Sequence, residues 1–192
     1  MRTSRITRKT KETDITLALD LDGSGRADID TGIGFFDHML TALAVHGNID
    51  LTVKCRGDLN VDGHHTVEDV GIAFGKALGE AFGDKKGIER FGCATVPMDE
   101  ALARCALDIS GRAYLCFDAP SLVGMIGGFD ASLAEEFFAA VCSNAFINVH
   151  LDQLRGNNAH LVCEAIFKAF ARSIRAAKNV TGDSVPSTKG SL

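Results

Sequence analysis

The stretch DGHHTVEDVGIAFGKAL, residues 62–78, decides how this chain folds, because NAHLVCEAIFKAFARSI at residues 158–174 answers it. His64 falls over His160, Glu68 over Glu164 and Phe74 over Phe170. Each stretch reads as a long helix. Histidine and glutamate four residues apart share one helix face and form a two-point chelate suited to divalent ions such as Mn, Fe, Co, Ni or Zn. The adjacent pair His64–His65 is a different matter. Successive helical residues point about 100° apart, so the two rings cannot easily hold one ion, and a single turn is placed to serve two metal centres.

The elements around these helices repeat as well. Three alternating stretches, SRITRKT (4–10), DITLALDL (14–21) and RADIDT (26–31), read as strands. GFFDHMLTALAVHG (34–47) reads as a helix with Gly47 suited to its C-cap, IDLTVKC (49–55) as a strand, and residues 65–83 as the long helix ending at Gly83. The second half gives strands over 89–98, 100–110 and 112–119, a helix over 131–145, a strand over 146–153 and a helix over 159–179. The fold class expected is therefore α+β, a tandem duplication of a βββαβα unit. The first repeat takes residues 1–86 and the second 87–192, with two sheets enclosing the helices in one compact unit. The ending TGDSVPSTKGSL (181–192) is irregular, either a frayed terminus or a clamp for phosphate.

Length and composition narrow the function. A chain of 192 residues that is 46% hydrophobic can bury a substantial core. A net charge of −5 and a pI near 5.6 argue against nucleic-acid binding, while leaving room for a local basic pocket. The basic start is followed by no signal-like apolar run, and no stretch is long enough to span a membrane, so a soluble cytoplasmic protein is expected. Six scattered cysteines without a C-x-x-C pattern read as buried, reduced thiols.

Six histidines are available: His38, His46, His64, His65, His150 and His160. The repeated H-x-x-x-E singles out the helix starts as metal-binding. His46, in a last helical turn, reads as structural, an imidazolium favoured by the helix dipole. Asp69 reads as a solvated carboxylate or one supporting a ligand.

Five ordered blocks then become specific: TGIGFFDHML (31–40), GDLNVDGHHTVEDVGIAFGKAL (57–78), PMDEALARCALDISGR (97–112), NNAHLVCEAIFKAFAR (157–172) and PSTKG (186–190). Together they resemble the imidazoleglycerol-phosphate dehydratase family of histidine biosynthesis. The resemblance implies removal of water from imidazole glycerol phosphate to give imidazole acetol phosphate, with two Mn²⁺ ions per active site. It implies one metal on His38, His64 and Glu68, and the other on His65, His150, His160 and Glu164. Glu12, Glu68, Glu164 and Asp99 become the catalytic carboxylates, with Glu100 beside Asp99. Arg90, Arg112, Lys168, Ser187 and Lys189 become the phosphate-binding set, in which arginine grips in bidentate fashion and lysine acts as a point charge. It also implies a homo-oligomer of 24 subunits built from trimers, with active sites between chains.

The chemistry shows why metals are wanted. The hydrogen lost is not adjacent to a carbonyl, so direct abstraction would leave a poorly stabilised carbanion. A substrate imidazole held as its anion can instead expel the neighbouring hydroxyl, after which a carboxylate removes the now acidic proton.

One departure stands out. The family pattern at the second helix is H-H-x-x-E, whereas this chain has His160-Leu161. A leucine cannot ligate, so the first metal lacks an expected histidine and is weakened or lost. The competing reading is a catalytically inactive assembly protein of the same fold that binds metal and a phosphate ligand. Leu161 favours it; Glu12, His38, Glu68 and the complete PSTKG ending favour the enzyme. A zinc hydrolase fits poorly, since it would want one three-ligand centre with an open water position.

Overall fold

In the computed structural model, which describes residues 1–190 and 192, the chain runs β1 (Thr3–Lys9), β2 (Thr13–Asp20), β3 (Ala27–Asp30), α1 (Gly34–Gly47), β4 (Asp50–Gly57) and α2 (His64–Phe82). It continues β5 (Phe91–Met98), β6 (Ala101–Asp108), β7 (Tyr114–Asp118), β8 (Met125–Ile126), β9 (Phe129–Asp130), α3 (Leu133–Ala145), β10 (Asn148–Arg155) and α4 (Ala159–Ala177). The two four-stranded sheets have matching orders, β1-β2-β4-β3 and β5-β6-β10-β7. Each ends in a parallel pair, β3 with β4 and β7 with β10. The short β8–β9 hairpin has no counterpart in the first half and was not anticipated from the sequence.

Strand periodicity explains the layers. Ile15, Leu17 and Leu19 on β2 and Leu51, Val53 and Cys55 on β4 alternate inward. Ala103, Cys105 and Leu107 on β6 and Val149 and Leu151 on β10 do the same in the second sheet. Outer faces carry ion pairs such as Lys54–Asp28, Arg56–Asp30 and Arg104–Asp152. Between the sheets Phe137 lies within 5.4–6.2 Å, centroid to centroid, of Phe36, Phe74 and Phe167, joining both repeats in one aromatic core.

Helices pair across the repeats. A Cβ added at Gly71 would lie 2.8 Å from the Phe137 carbonyl, and one at Gly75 2.7 Å from that of Val141, so α2 and α3 touch backbone to backbone. The contacts advance together along both helices, which makes the pair parallel. His38 beside His160 and Gly47 beside Ala171 make α1 and α4 parallel too. Ideal Cβ positions at Gly63 face Ile33 and Leu133, so the starts of α1, α2 and α3 meet. All four helix N-termini consequently gather at one end of the molecule.

Three local expectations change. The left-handed residue closing α1 is Asn48, with φ 50°, while Gly47 stays inside the helix and is buried against α4. Cys55, Cys105, Cys142 and Cys163 are buried, yet Cys93 is exposed and Cys116 half-buried, because strand alternation turns Cys93 outward. Asp69 is not solvated. It is buried, pairs with Arg8 and accepts a 2.5 Å hydrogen bond from Thr13 Oγ1, fastening α2 to the first hairpin.

Candidate metal centre and active site

The two long helices start alike. Asn158 Oδ1 accepts from the amides of His160 (3.0 Å) and Leu161 (3.3 Å), and Asp62, two residues before His64, accepts from the His64 amide at 2.8 Å. These side chains satisfy amides that a first helical turn leaves without partners.

At the start of α4, His160 Nε2 lies 3.4 Å from Glu164 Oε2, and His38 Nε2, from α1, lies 3.5 Å from the same oxygen. The three donor atoms all fall within 4.8 Å of one another. The other carboxylate oxygen accepts a 2.7 Å hydrogen bond from Lys168 Nζ. Burial raises the pKa of Glu164, but the hydrogen bond and charge of Lys168, with His38, outweigh it and leave the carboxyl below its ordinary value. Glu164 is thus a buried, ionised acceptor between two exposed imidazoles. Two ring nitrogens and one carboxylate oxygen are the donor set that borderline divalent ions favour, so the residues fit such an ion.

His38 was expected with His64 and Glu68. Within one chain it stands with His160 and Glu164 instead, because α1 packs along α4. His64 and Glu68 form a separate, exposed pair at 3.6 Å.

His65 turns away from His64, the ring planes meeting at 87°. Its Nδ1 faces both carboxylate oxygens of Asp58 at 3.0 and 3.1 Å, and its Nε2 lies 3.8 Å from Glu12 Oε1. The Asp58 hydrogen bond raises the His65 pKa. His150 lies on the exposed face of β10 with its ring 5.6 Å from Tyr114, apart from His65 and from the His160–Glu164 pair. Leu161 is half-buried and packs against the core.

The carboxylates sit on equivalent hairpin turns. Glu12 occupies the exposed β1–β2 turn, held by Thr10 Oγ1, which accepts from the Glu12 and Thr13 amides. Asp99 occupies the β5–β6 turn with φ 48°, and its neighbour Glu100 accepts from the amides of Asn157 and Asn158 (3.5 and 3.2 Å) just ahead of α4. Glu100, rather than Asp99, therefore steadies the His160 helix start.

Most of the phosphate set lies elsewhere. Arg90 pairs through its guanidinium with Asp108 (2.7 Å) and donates to the Pro186 carbonyl (2.8 Å), while its amide bonds to Ala177 at the end of α4. In this chain it holds the tail in place and does not present an open fork. Arg112 follows in the β6–β7 loop, where its guanidinium donates to the Ser110 carbonyl, and Ser187 and Lys189 share a short turn in the tail. The tail is not frayed at its root. Gly87 bonds to Thr181, Gly182 and Ser184. The helical rise of about 1.5 Å per residue puts the end of α4 roughly 25 Å from His160.

Lys168 sits between, and His46 joins it. His46 was read as an imidazolium favoured by the helix end, but burial, then the charges of Lys168 and Arg172, lower its pKa. It belongs to a charged seam between α1 and α4, where Lys168 and Arg172 act on it against the opposing Glu164 carboxylate.

A family model described as imidazoleglycerol-phosphate dehydratase matches residues 31–174. Curated proteins of that name from Polaromonas sp. and Gluconobacter oxydans are 55% and 56% identical over 194 aligned residues, covering 100% of this chain and 94% and 98% of theirs. The chain belongs to the imidazoleglycerol-phosphate dehydratase family. The Staphylococcus aureus imidazoleglycerol-phosphate dehydratase crystal structure superposes with a TM-score of 0.84 at 42% identity, covering 93% of this chain and 99% of that one. The Pyrococcus furiosus enzyme in complex with (S)-C348 gives 0.82 at 38% identity, covering 97% and 100%.

As a member of the imidazoleglycerol-phosphate dehydratase family, the chain is a hydro-lyase of histidine biosynthesis. Among the described residues, no helix is long and apolar enough to cross a membrane. Asp58 meets His65 from a loop seven residues upstream, a contact for which the sequence spacing carries no signal.

Proposed function

We propose that the chain dehydrates imidazole glycerol phosphate to imidazole acetol phosphate with two divalent ions, Mn²⁺ being the ion expected, at sites completed between subunits. The separation of parts carries this reading. One chain brings His38, His160 and Glu164 together, leaves His64 and Glu68 as a bare pair, and keeps Arg90 and the tail a helix length away. His65 and His150 stand with neither His–Glu pair of their own chain, which makes them the donors a neighbouring copy would supply. A homo-oligomer of 24 subunits built from trimers would meet that need. Six free cysteines are in keeping with a cytoplasmic setting.

In this reading His38, His160 and Glu164 hold one ion, and His64 and Glu68 begin the other site. The ions would supply positive charge that stabilises the substrate ring in its anionic form. Glu12 Oε1 accepts the carbon-bound proton, with Asp99 on the equivalent turn of the second repeat. Lys168 and His46 hold the phosphate from the helix seam, and Arg90 holds the Ser187–Lys189 turn. Leu161 removes one imidazole from the set and makes one ion weaker.

The competing reading, an inactive metal- and phosphate-binding assembly protein, rests on Leu161 alone. Turnover of imidazole glycerol phosphate by EDTA-stripped protein titrated with Mn²⁺, beside Leu161→His, separates the two. Saturable activity in both supports the dehydratase with a tolerated change. Activity only in the histidine variant supports the inactive form, and activity in neither overturns the catalytic reading.

A further inference from the structure

His65 has two ring nitrogens, and the structure gives each a different neighbour. Nδ1 is met by both oxygens of Asp58, while Nε2 points toward Glu12. A carboxylate only accepts, so the proton of a neutral imidazole is drawn to Nδ1 and the lone pair is left on Nε2. Asp58 itself is anchored. Its amide donates to the Glu12 carbonyl at 3.1 Å, and its carbonyl accepts from Val61 at 2.8 Å, closing the turn that leads into α2. One residue therefore sets the orientation of His65 and its spacing from the Glu12 turn.

From this geometry we infer that Asp58 is a positioning residue, whose carboxylate holds His65 with Nε2 presented for a divalent ion. The inference rests on His65 being a metal donor, as proposed above. It assigns Asp58 no contact with substrate or ion. Its side chain and amide act separately: replacing the carboxylate leaves the Asp58–Glu12 backbone bond in place, so the side-chain effect falls on His65 alone.

The test is a calorimetric Mn²⁺ titration of the metal-stripped full chain, comparing the parent with Asp58→Ala, Asp58→Leu and His65→Ala, and with metal-free thermal unfolding of each. Asp58→Leu keeps nearly the side chain's shape but has no acceptor, so it remains informative where the alanine variant fails to fold. Loss of the partner that orients a ligating histidine costs roughly 10–100-fold in metal affinity. The expected result is a loss of that size at one class of site in both Asp58 variants, with the other class unchanged. An unchanged affinity in a folded Asp58 variant while His65→Ala loses the site overturns the Asp58 inference alone. Equal weakening of both classes overturns it too, as the sign of general damage. No effect of His65→Ala overturns the donor assignment and the inference together.

Discussion

Lys168 Nζ lies 2.7 Å from Glu164 Oε1, one turn along α4, and leaves Oε2 to face His38 and His160. The lysine thus holds a buried carboxylate ionised and in one orientation. Replacing it with methionine leaves burial, the largest influence on Glu164, without its main opponent. A carboxylate held below its unfolded pKa contributes stability at pH values above the ordinary carboxylate range, and that contribution is lost as pH falls through the folded pKa. Lys168→Met should therefore be less stable than the parent by on the order of 1–3 kcal/mol near neutrality. The gap should close in acid, where Glu164 is protonated in both. Metal-free unfolding midpoints measured across that range decide it; a gap independent of pH would sink the account.

The α2–α3 seam offers a paired comparison. An added Cβ at Gly75 meets the Val141 carbonyl at 2.7 Å, whereas at Gly79 the nearest atom, the Asn144 carbonyl, is at 3.5 Å. Gly75→Ala should cost about 1–3 kcal/mol through overpacking against the backbone. Gly79→Ala should be neutral or stabilising by up to about 1 kcal/mol from helix propensity. The denaturant midpoint should fall for Gly75→Ala and hold or rise for Gly79→Ala.

Arg90 joins the second sheet to the tail through Asp108 and Pro186. Arg90→Lys keeps the charge but loses the fork. The tail turn bearing Ser187 and Lys189 should then loosen, showing earlier proteolytic cleavage after the end of α4. A KM raised roughly tenfold, the equivalent of one charge-assisted hydrogen bond, should accompany it with little change in kcat. Unaltered proteolysis alongside an unaltered KM would mean the tail holds itself.

His46 reports on the anion expected in the charged seam. Its pKa is depressed by burial, then by Lys168 and Arg172. Protonation therefore opposes folding, and stability is lost as pH falls from the unfolded value near 6.5 through the folded one. A bound phosphate dianion reverses the local charge, so inorganic phosphate should raise the His46 pKa in a proton NMR titration. It should also reduce the acid sensitivity of the melting temperature. His46→Gln should abolish that phosphate-linked shift. A histidine indifferent to phosphate would remove His46 from the anion site.

What the residues reveal by themselves is what depends on near neighbours along the chain. The strand alternation of β2 and β6, the extent of α1 and the His–Glu pairing at both long helices follow from periods of two and 3.6 residues, and so were legible. The duplication was legible for the same reason, since His64 falls over His160, Glu68 over Glu164 and Phe74 over Phe170. The Leu161 departure needed only the order of residues.

Tertiary structure decided which of those local pieces share a site. His38 joins His160 and Glu164 because α1 lies parallel to α4, a choice made by Gly47 against Ala171 and by the aromatic core rather than by any spacing near His38. Asp69 is buried because Arg8 and Thr13 reach it from a hairpin more than fifty residues away. Arg90 looks like a free cation in the sequence and is committed to Asp108 and Pro186 in the fold. Side-chain periodicity reports which face a residue occupies. What faces it across the core is settled by packing, and here packing has placed only part of each proposed metal site within a single chain.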